Sequence, residues 1–173
     1  MRTTAVTLAL LALAGTGVRA EEAAPLAGPD TQFLAEAIRD GMAEVDLGKT
    51  AEKKASSPEV KRFAEHMVKD HTAANEKLTV LAKKHKIEAK GTYGTPPLKP
   101  GAEAKAEKAD LSKMSGQEFD RAYASEMVQD HEKAVGLLRD EAKNGKDKEV
   151  SELAAAVLPT LEEHLKMAQA LAK

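Results

Sequence analysis

Phe63-Ala-Glu-His-Met-Val-Lys-Asp-His71 is echoed sixty residues later by Tyr123-Ala-Ser-Glu-Met-Val-Gln-Asp-His131, and both stretches end in Met-Val-x-Asp-His. Read as helix, each closing histidine follows a methionine by one turn and a valine by three residues, so it projects from an apolar stripe. His164 is placed in the same way within Leu161-Glu-Glu-His-Leu-Lys-Met167. Three histidines on the inner faces of three different helices are the main chemical signal of the chain.

Working outward from the first stretch, Ser57 followed by Pro58 and Glu59 is a helix-start signal. The stripe behind it runs Val60, Phe63, Ala64, Met67, Val68, His71, Leu78 and Leu81, and Lys83-Lys-His-Lys86 suits the negative C-terminal end. Upstream, Asp30 is a candidate cap for a helix carrying Phe33, Leu34, Ala37, Ile38, Gly41, Val45, Gly48 and Ala51, ended by Ser56-Ser-Pro58. Downstream, Ser115-Gly-Gln-Glu118 reads as a capping box ahead of Phe119, Ala122, Tyr123, Met127, Val128, His131, Val135 and Leu138. Asn144-Gly145 stops that third helix. A fourth starts near Asp147 and carries Val150, Leu153, Ala154, Val157, Leu161, His164, Leu165, Ala168 and Leu171. Pro159 falls inside it and is expected to kink it or start a new segment. Residues 88–114 are rich in Gly, Pro, Ala and Lys, with Gly91-Thr-Tyr-Gly-Thr-Pro-Pro97 and Pro100-Gly101 at the head. They predict a long crossover loop holding at most a short helical turn.

The first twenty residues read as an address. Arg2 precedes a short apolar run from Ala5 to Gly15, and Val18-Arg-Ala20 has the small-x-small form of a signal-peptidase site. The run is too short to anchor a helix across a bilayer, and no second one follows. The expectation is a signal peptide over 1–20, a disordered lead over 21–29 and one domain over 30–173, periplasmic or secreted, with no integral membrane segment after cleavage. No cysteine is present, so packing or a bound ligand must hold the fold in an oxidising compartment. Once Arg2 and Arg19 are removed with the signal, the 28 acidic residues outnumber the basic ones slightly. Such interspersed mild acidity, with aromatic residues at 3%, argues against nucleic acid as a partner. A homo-oligomer is compatible with the chain, and no motif names a protein partner.

Four long amphipathic helices with two short connections and one long middle one predict an all-α, ferritin-like four-helix bundle, built as two helical hairpins joined by a crossover. An internal repeat agrees with this. Ser57-Pro-Glu-Val60 matches Asp147-Lys-Glu-Val150, and with a three-residue insertion His71 matches His164; at an offset of 87, Glu44 matches His131.

Gly41-Met-Ala-Glu-Val-Asp-Leu-Gly48, Ser57-Pro-Glu-Val-Lys-Arg-Phe-Ala64, Met67-Val-Lys-Asp-His71, Phe119-Asp-Arg-Ala-Tyr123 and Leu158-Pro-Thr-Leu-Glu-Glu-His-Leu165 resemble the exported bacterial family called domain of unknown function 4142. Members are labelled outer-membrane or periplasmic proteins and assigned a ferritin-like fold. The resemblance spans Phe33 to Leu171; it implies the fold and no particular activity.

Chemistry must come from the residues. Glu44 lies between Gly41 and Gly48, a face small enough for a neighbouring helix to come close. Glu44, His71, His131 and His164 supply one candidate ligand per helix, a set suited to a single zinc, iron, manganese or copper ion. Val68 and Leu161 stand three residues before His71 and His164, where diiron proteins of this fold carry glutamate, so a two-iron centre is not expected. Met67, Met127, Met167 and Met42 lie near these positions in sequence and raise copper or a non-covalent haem, although methionine at helical spacing usually fills core. The competing reading is a metal-free polar core, with Glu44, Asp70 and Asp130 satisfying the imidazoles in a structural or interaction module of the envelope. Asp70 and Asp130, turned about 100° from their histidines, read as surface or supporting groups. His66 and His85 fall outside the set. No phosphate loop, nucleophile elbow, zinc-protease helix or catalytic cysteine is present, so an enzyme is not the expectation. Three functions remain: metal handling or stress defence, an envelope module, and an iron or haem redox protein.

Overall fold

A computed structural model describes residues 26, 28–87 and 110–173. The expected signal peptide, most of the expected lead and residues 88–109 of the crossover lie outside the described residues. The elements are α1 (Gly28–Lys54), α2 (Pro58–Lys84), a single 3-10 turn at Leu111–Lys113, α3 (Gly116–Asn144) and α4 (Lys148–Leu171). Pairs α1–α2 and α3–α4 are the two hairpins, and α2–α4 and α1–α3 contacts join them. Together they form the ferritin-like four-helix bundle that the apolar periods predict.

The helix ends show where local signals held and where tertiary contacts took over. Ser57 caps α2 by accepting from the backbone N–H groups of Glu59 and Val60, and Asp147 caps α4 by accepting from those of Glu149 and Val150. Asp30 does not cap α1. The helix already begins at Gly28, with Pro29 in its first turn where no N–H is needed, and the Asp30 carboxylate accepts from the backbone N–H groups of Lys146 and Asp147 instead. The capping box at Ser115 does not form either. Its hydroxyl accepts no capping bond, and the chain enters α3 through Gly116 at φ +62°, in the left-handed region that favours glycine. α4 runs unbroken through Pro159.

Asp120 mirrors Asp30 across the repeat. Its carboxylate accepts from the backbone N–H groups of Ser56 and Ser57 at 3.0 and 2.9 Å and from the Ser56 hydroxyl. Each hairpin's first helix thus clamps the other hairpin's turn. The Asp120 clamp sets the start of α3 beside the start of α2, so these two run parallel, as a crossover requires. Truncation in Asp120→Ala leaves two partly buried N–H groups without their acceptor and is expected to cost about 2–3 kcal/mol in urea unfolding; a loss below about 0.5 kcal/mol would show the clamp to be incidental.

α1 and α2 approach closely at the two glycines. A Cβ on Gly48 would meet a Val68 methyl at 2.7 Å and the Ala64 carbonyl oxygen at 3.2 Å; one on Gly41 would meet the Asn75 side chain. This is the small-residue face predicted around Glu44. Lys54 closes that end of the bundle by donating to the carbonyls of Leu111, Ser112 and Met114.

The core is divided in two. One apolar cluster holds Leu47, Phe63, Met67, Phe119, Tyr123, Met127 and Ala168 among others; the second holds Ile38, Leu78, Val135 and Leu161. On every helix the residue between the two is polar and buried: Glu44, His71, His131 and His164.

Candidate metal centre

The polar layer between the clusters costs free energy unless its groups find partners. Each histidine is carried on the buried stripe of its helix, among apolar neighbours. Relative exposure is 5% for His71, 0% for His131 and 2% for His164. One ring nitrogen from each lies within 4.8 Å of those of the other two. Ring centroids stand 5.3–5.5 Å apart.

Hydrogen bonds fix two of the three tautomers. Nδ1 of His131 is 2.9 Å from the Met127 carbonyl, which can only accept, so Nδ1 carries the proton and Nε2 the lone pair. Nε2 of His164 donates to the Asp70 carboxylate at 3.2 Å. That leaves Nδ1 of His164 with the lone pair, and this atom is buried with no hydrogen-bond partner. Nε2 of His71 faces Nε2 of His131 at 3.4 Å. A trigonal or tetrahedral ion with bonds of about 2.0–2.1 Å holds its ligands roughly 3.3–3.6 Å apart, so this pair already has the spacing of two ligands on one ion.

Electrostatics keep the rings neutral. Burial pushes His71 well below its ordinary value, helped by His131 and His164. Burial, with His164 beside it, pushes His131 down to about 4 against the pull of the Met127 carbonyl. His164 is lowered by burial, with Asp70 opposing. Neutral imidazoles at pH 7 have their lone pairs free, the form a metal needs.

Of the four expected ligands, three come together. Glu44 shares their layer, but its carboxylate stands 4.0 Å from Nδ1 of His131, on the ring nitrogen away from the Nε2 that faces His71. Asp70, read from sequence as a supporting group, holds His164; Asp130 is half-buried. Met67 and Met127 are fully buried in the apolar cluster with Phe63 and Tyr123, Met167 packs at its edge, and Met42 is 41% exposed. Sequence reasoning placed Tyr123 on the apolar stripe of α3 but did not single out its hydroxyl. Its ring is fully buried, stacks on Phe119 at 5.7 Å, and has a hydroxyl without a hydrogen-bond partner. Burial and the Glu44 and Glu126 carboxylates raise its pKa, and the only sequence signal was its place eight residues before His131.

Known structures share this architecture. A crystallised DUF305 fragment from Deinococcus radiodurans superposes with a TM-score of 0.69 at 16% identity, over 86% of this chain and 98% of that one. CopM in its Cu(II)-bound form superposes with a TM-score of 0.66 at 21% identity, over 83% and 95% of the two chains. CopM in its Cu(I)-bound form gives 0.64 at 18% identity, over 82% and 93%. At these identities the likeness is one of fold. No curated protein matches the chain. Among the described residues no helix is long and apolar enough to cross a membrane. The DUF4142 family, a domain of unknown function, matches the sequence over residues 16–171, and the chain belongs to that family.

Proposed function

We propose that this is an exported ferritin-like bundle that binds one transition-metal ion, copper in preference to zinc, iron or manganese, through His71, His131 and His164, and that it serves metal handling or stress defence without catalysis. The observation that carries the proposal is the triad itself: three neutral imidazoles from three helices, one pair at ligand spacing and one buried nitrogen without a partner. A donor set of imidazoles without a carboxylate disfavours manganese, and copper heads the divalent affinity order. CopM, which has the same fold, has been crystallised with Cu(II), Cu(I) and silver. The signal-peptide pattern of residues 1–20 supports export.

The surrounding groups have separate tasks in this reading. The Met127 carbonyl and Asp70 hold two rings in the tautomers that present lone pairs, as groups behind ligand histidines generally do. Glu44 sets a buried carboxylate beside His131, offsetting the charge that an ion brings. The Phe63 ring, edge-on to His164 at 6.3 Å, and the two apolar clusters keep water from the ligands.

The Cu(II) complex provides the test. Its electron paramagnetic resonance spectrum is expected to show nitrogen couplings from imidazole, reduced in number in His131→Ala; a spectrum identical to that of copper in buffer would refute the site. The envelope-module reading draws on one observation, the His71–His131 contact, which at 3.4 Å also suits an N–H···N bond without metal. It leaves Nδ1 of His164 unexplained.

A further inference from the structure

Copper exists in two charge states, and the surroundings of the triad discriminate between them. The three histidines each offer a nitrogen within 4.8 Å of the others, and among the described residues no carboxylate oxygen joins that group. The two carboxylates nearest the rings stand behind them. Glu44 is 4.0 Å from Nδ1 of His131, the nitrogen turned to the Met127 carbonyl, while Nε2 of that ring faces His71. Asp70 accepts from Nε2 of His164, which puts that ring's lone pair on the buried Nδ1. Along the bundle axis the layer is bounded by hydrocarbon and thioether groups: Phe63, Met67 and Met127 belong to one cluster, and Leu78, Val135 and Leu161 to the other. Of the two carboxylates only Glu44 is deeply buried; Asp70, 30% exposed, is partly screened by water.

We propose that the preferred cargo of the triad is the monovalent ion, Cu(I), held by His71, His131 and His164, and that the same rings bind Cu(II) more weakly. This inference rests on the triad's being the metal site. Cu(II) favours a tetragonal set of nitrogen and oxygen donors, and the group supplies three nitrogens and no carboxylate oxygen. Cu(I) has a filled d shell, which imposes no geometry of its own, and three neutral donors satisfy it. Charge acts in the same direction. The cost of taking an ion out of water grows with the square of its charge, and rings at most 5% exposed impose that cost almost in full. One deeply buried carboxylate behind the rings balances a single positive charge. The preference is one of binding and requires no electron transfer by the chain.

The experiment measures both dissociation constants on the metal-free protein by competition: against bathocuproine disulfonate for Cu(I), in oxygen-free buffer with ascorbate, and against glycine for Cu(II). The Kd for Cu(I) is expected to lie at least a hundredfold below that for Cu(II), which for a one-electron couple corresponds to a reduction potential raised by about 120 mV relative to the free ion. Ag(I), with the same charge and a filled shell, is expected to displace Cu(I) one for one. In His71→Ala, His131→Ala the tight Cu(I) binding is expected to disappear. A Kd for Cu(II) equal to or below that for Cu(I) would overturn the preference while leaving the triad standing. Cu(I) bound by the double variant as tightly as by wild type would also overturn it, by placing the ion on other donors. No binding of copper in either state by wild type would refute the triad and this inference with it.

Discussion

Copper at a hundred to a thousand times its Kd is expected to stabilise the protein by about 3–4 kcal/mol, through preferential binding to the folded state. For a chain of this size that corresponds to a rise in Tm of roughly 6–16 °C. The triad accounts for the whole effect, because in the unfolded chain the three histidines are far apart in sequence and offer no common site. In His71→Ala, His131→Ala the rise disappears. The baseline stability of that variant is informative in its own right. If metal-free packing were the purpose of the layer, loss of the His71–His131 contact would destabilise the metal-free protein while leaving any copper shift at its wild-type value. Circular dichroism melts with and without copper separate the two cases.

Acid lability of the metal-free protein is the second large effect. His131 titrates at about 4 in the fold against 6.5 for an ordinary histidine. Between those values the unfolded chain takes a proton that the folded chain refuses. The contribution is therefore complete above pH 6.5 and is lost as pH falls toward 4, by about 3 kcal/mol from His131 alone. His71 and His164, both lowered, act in the same sense. Glu141 acts in the opposite sense: burial and the carboxylates of Asp30, Asp140 and Asp147 push it up to about 7, so its contribution is complete below 4.5 and lost as pH rises toward 7. Glu141→Gln removes that counter-trend. In this background, urea unfolding with chelator present is expected to show stability falling from pH 7 to pH 4.5, with a clearly flatter dependence once His131→Gln is added. Stability that is flat or rises on acidification would mean that the rings are not buried as neutral imidazoles.

Helix number, helix faces and the candidate ligands were legible because a 3.6-residue period reports which way a side chain points. Met67-Val-Lys-Asp-His71 and its echo at Met127 place histidine inward with no knowledge of any neighbour. Height along the bundle and distance across it are set by packing between helices, which no local pattern records. Glu44 illustrates the limit. Its inward face was read from Gly41 and Gly48, yet its level and its position behind His131 depend on how α1 and α3 sit together. Asp30 shows the same thing in another form: it carries the local signature of a helix start, and it is drawn, as Asp120 is, to a turn of the other hairpin whose N–H groups need an acceptor. The Ser115 cap bond is absent where the chain enters α3 through the left-handed Gly116, a conformation the capping pattern does not announce. The three-residue insertion between Val150 and His164 was visible in sequence, while its consequence, that His164 still meets His71 across the bundle, required the assembled helices.

The most direct test of the metal centre is elemental analysis of the protein purified from the cell envelope without an affinity tag or chelator, alongside the His71→Ala, His131→Ala variant prepared in the same way. One copper per chain in the wild type, absent from the variant, is the predicted result. A wild type free of transition metal that also takes up none on dialysis against copper, or a metal content that the variant retains, would contradict it.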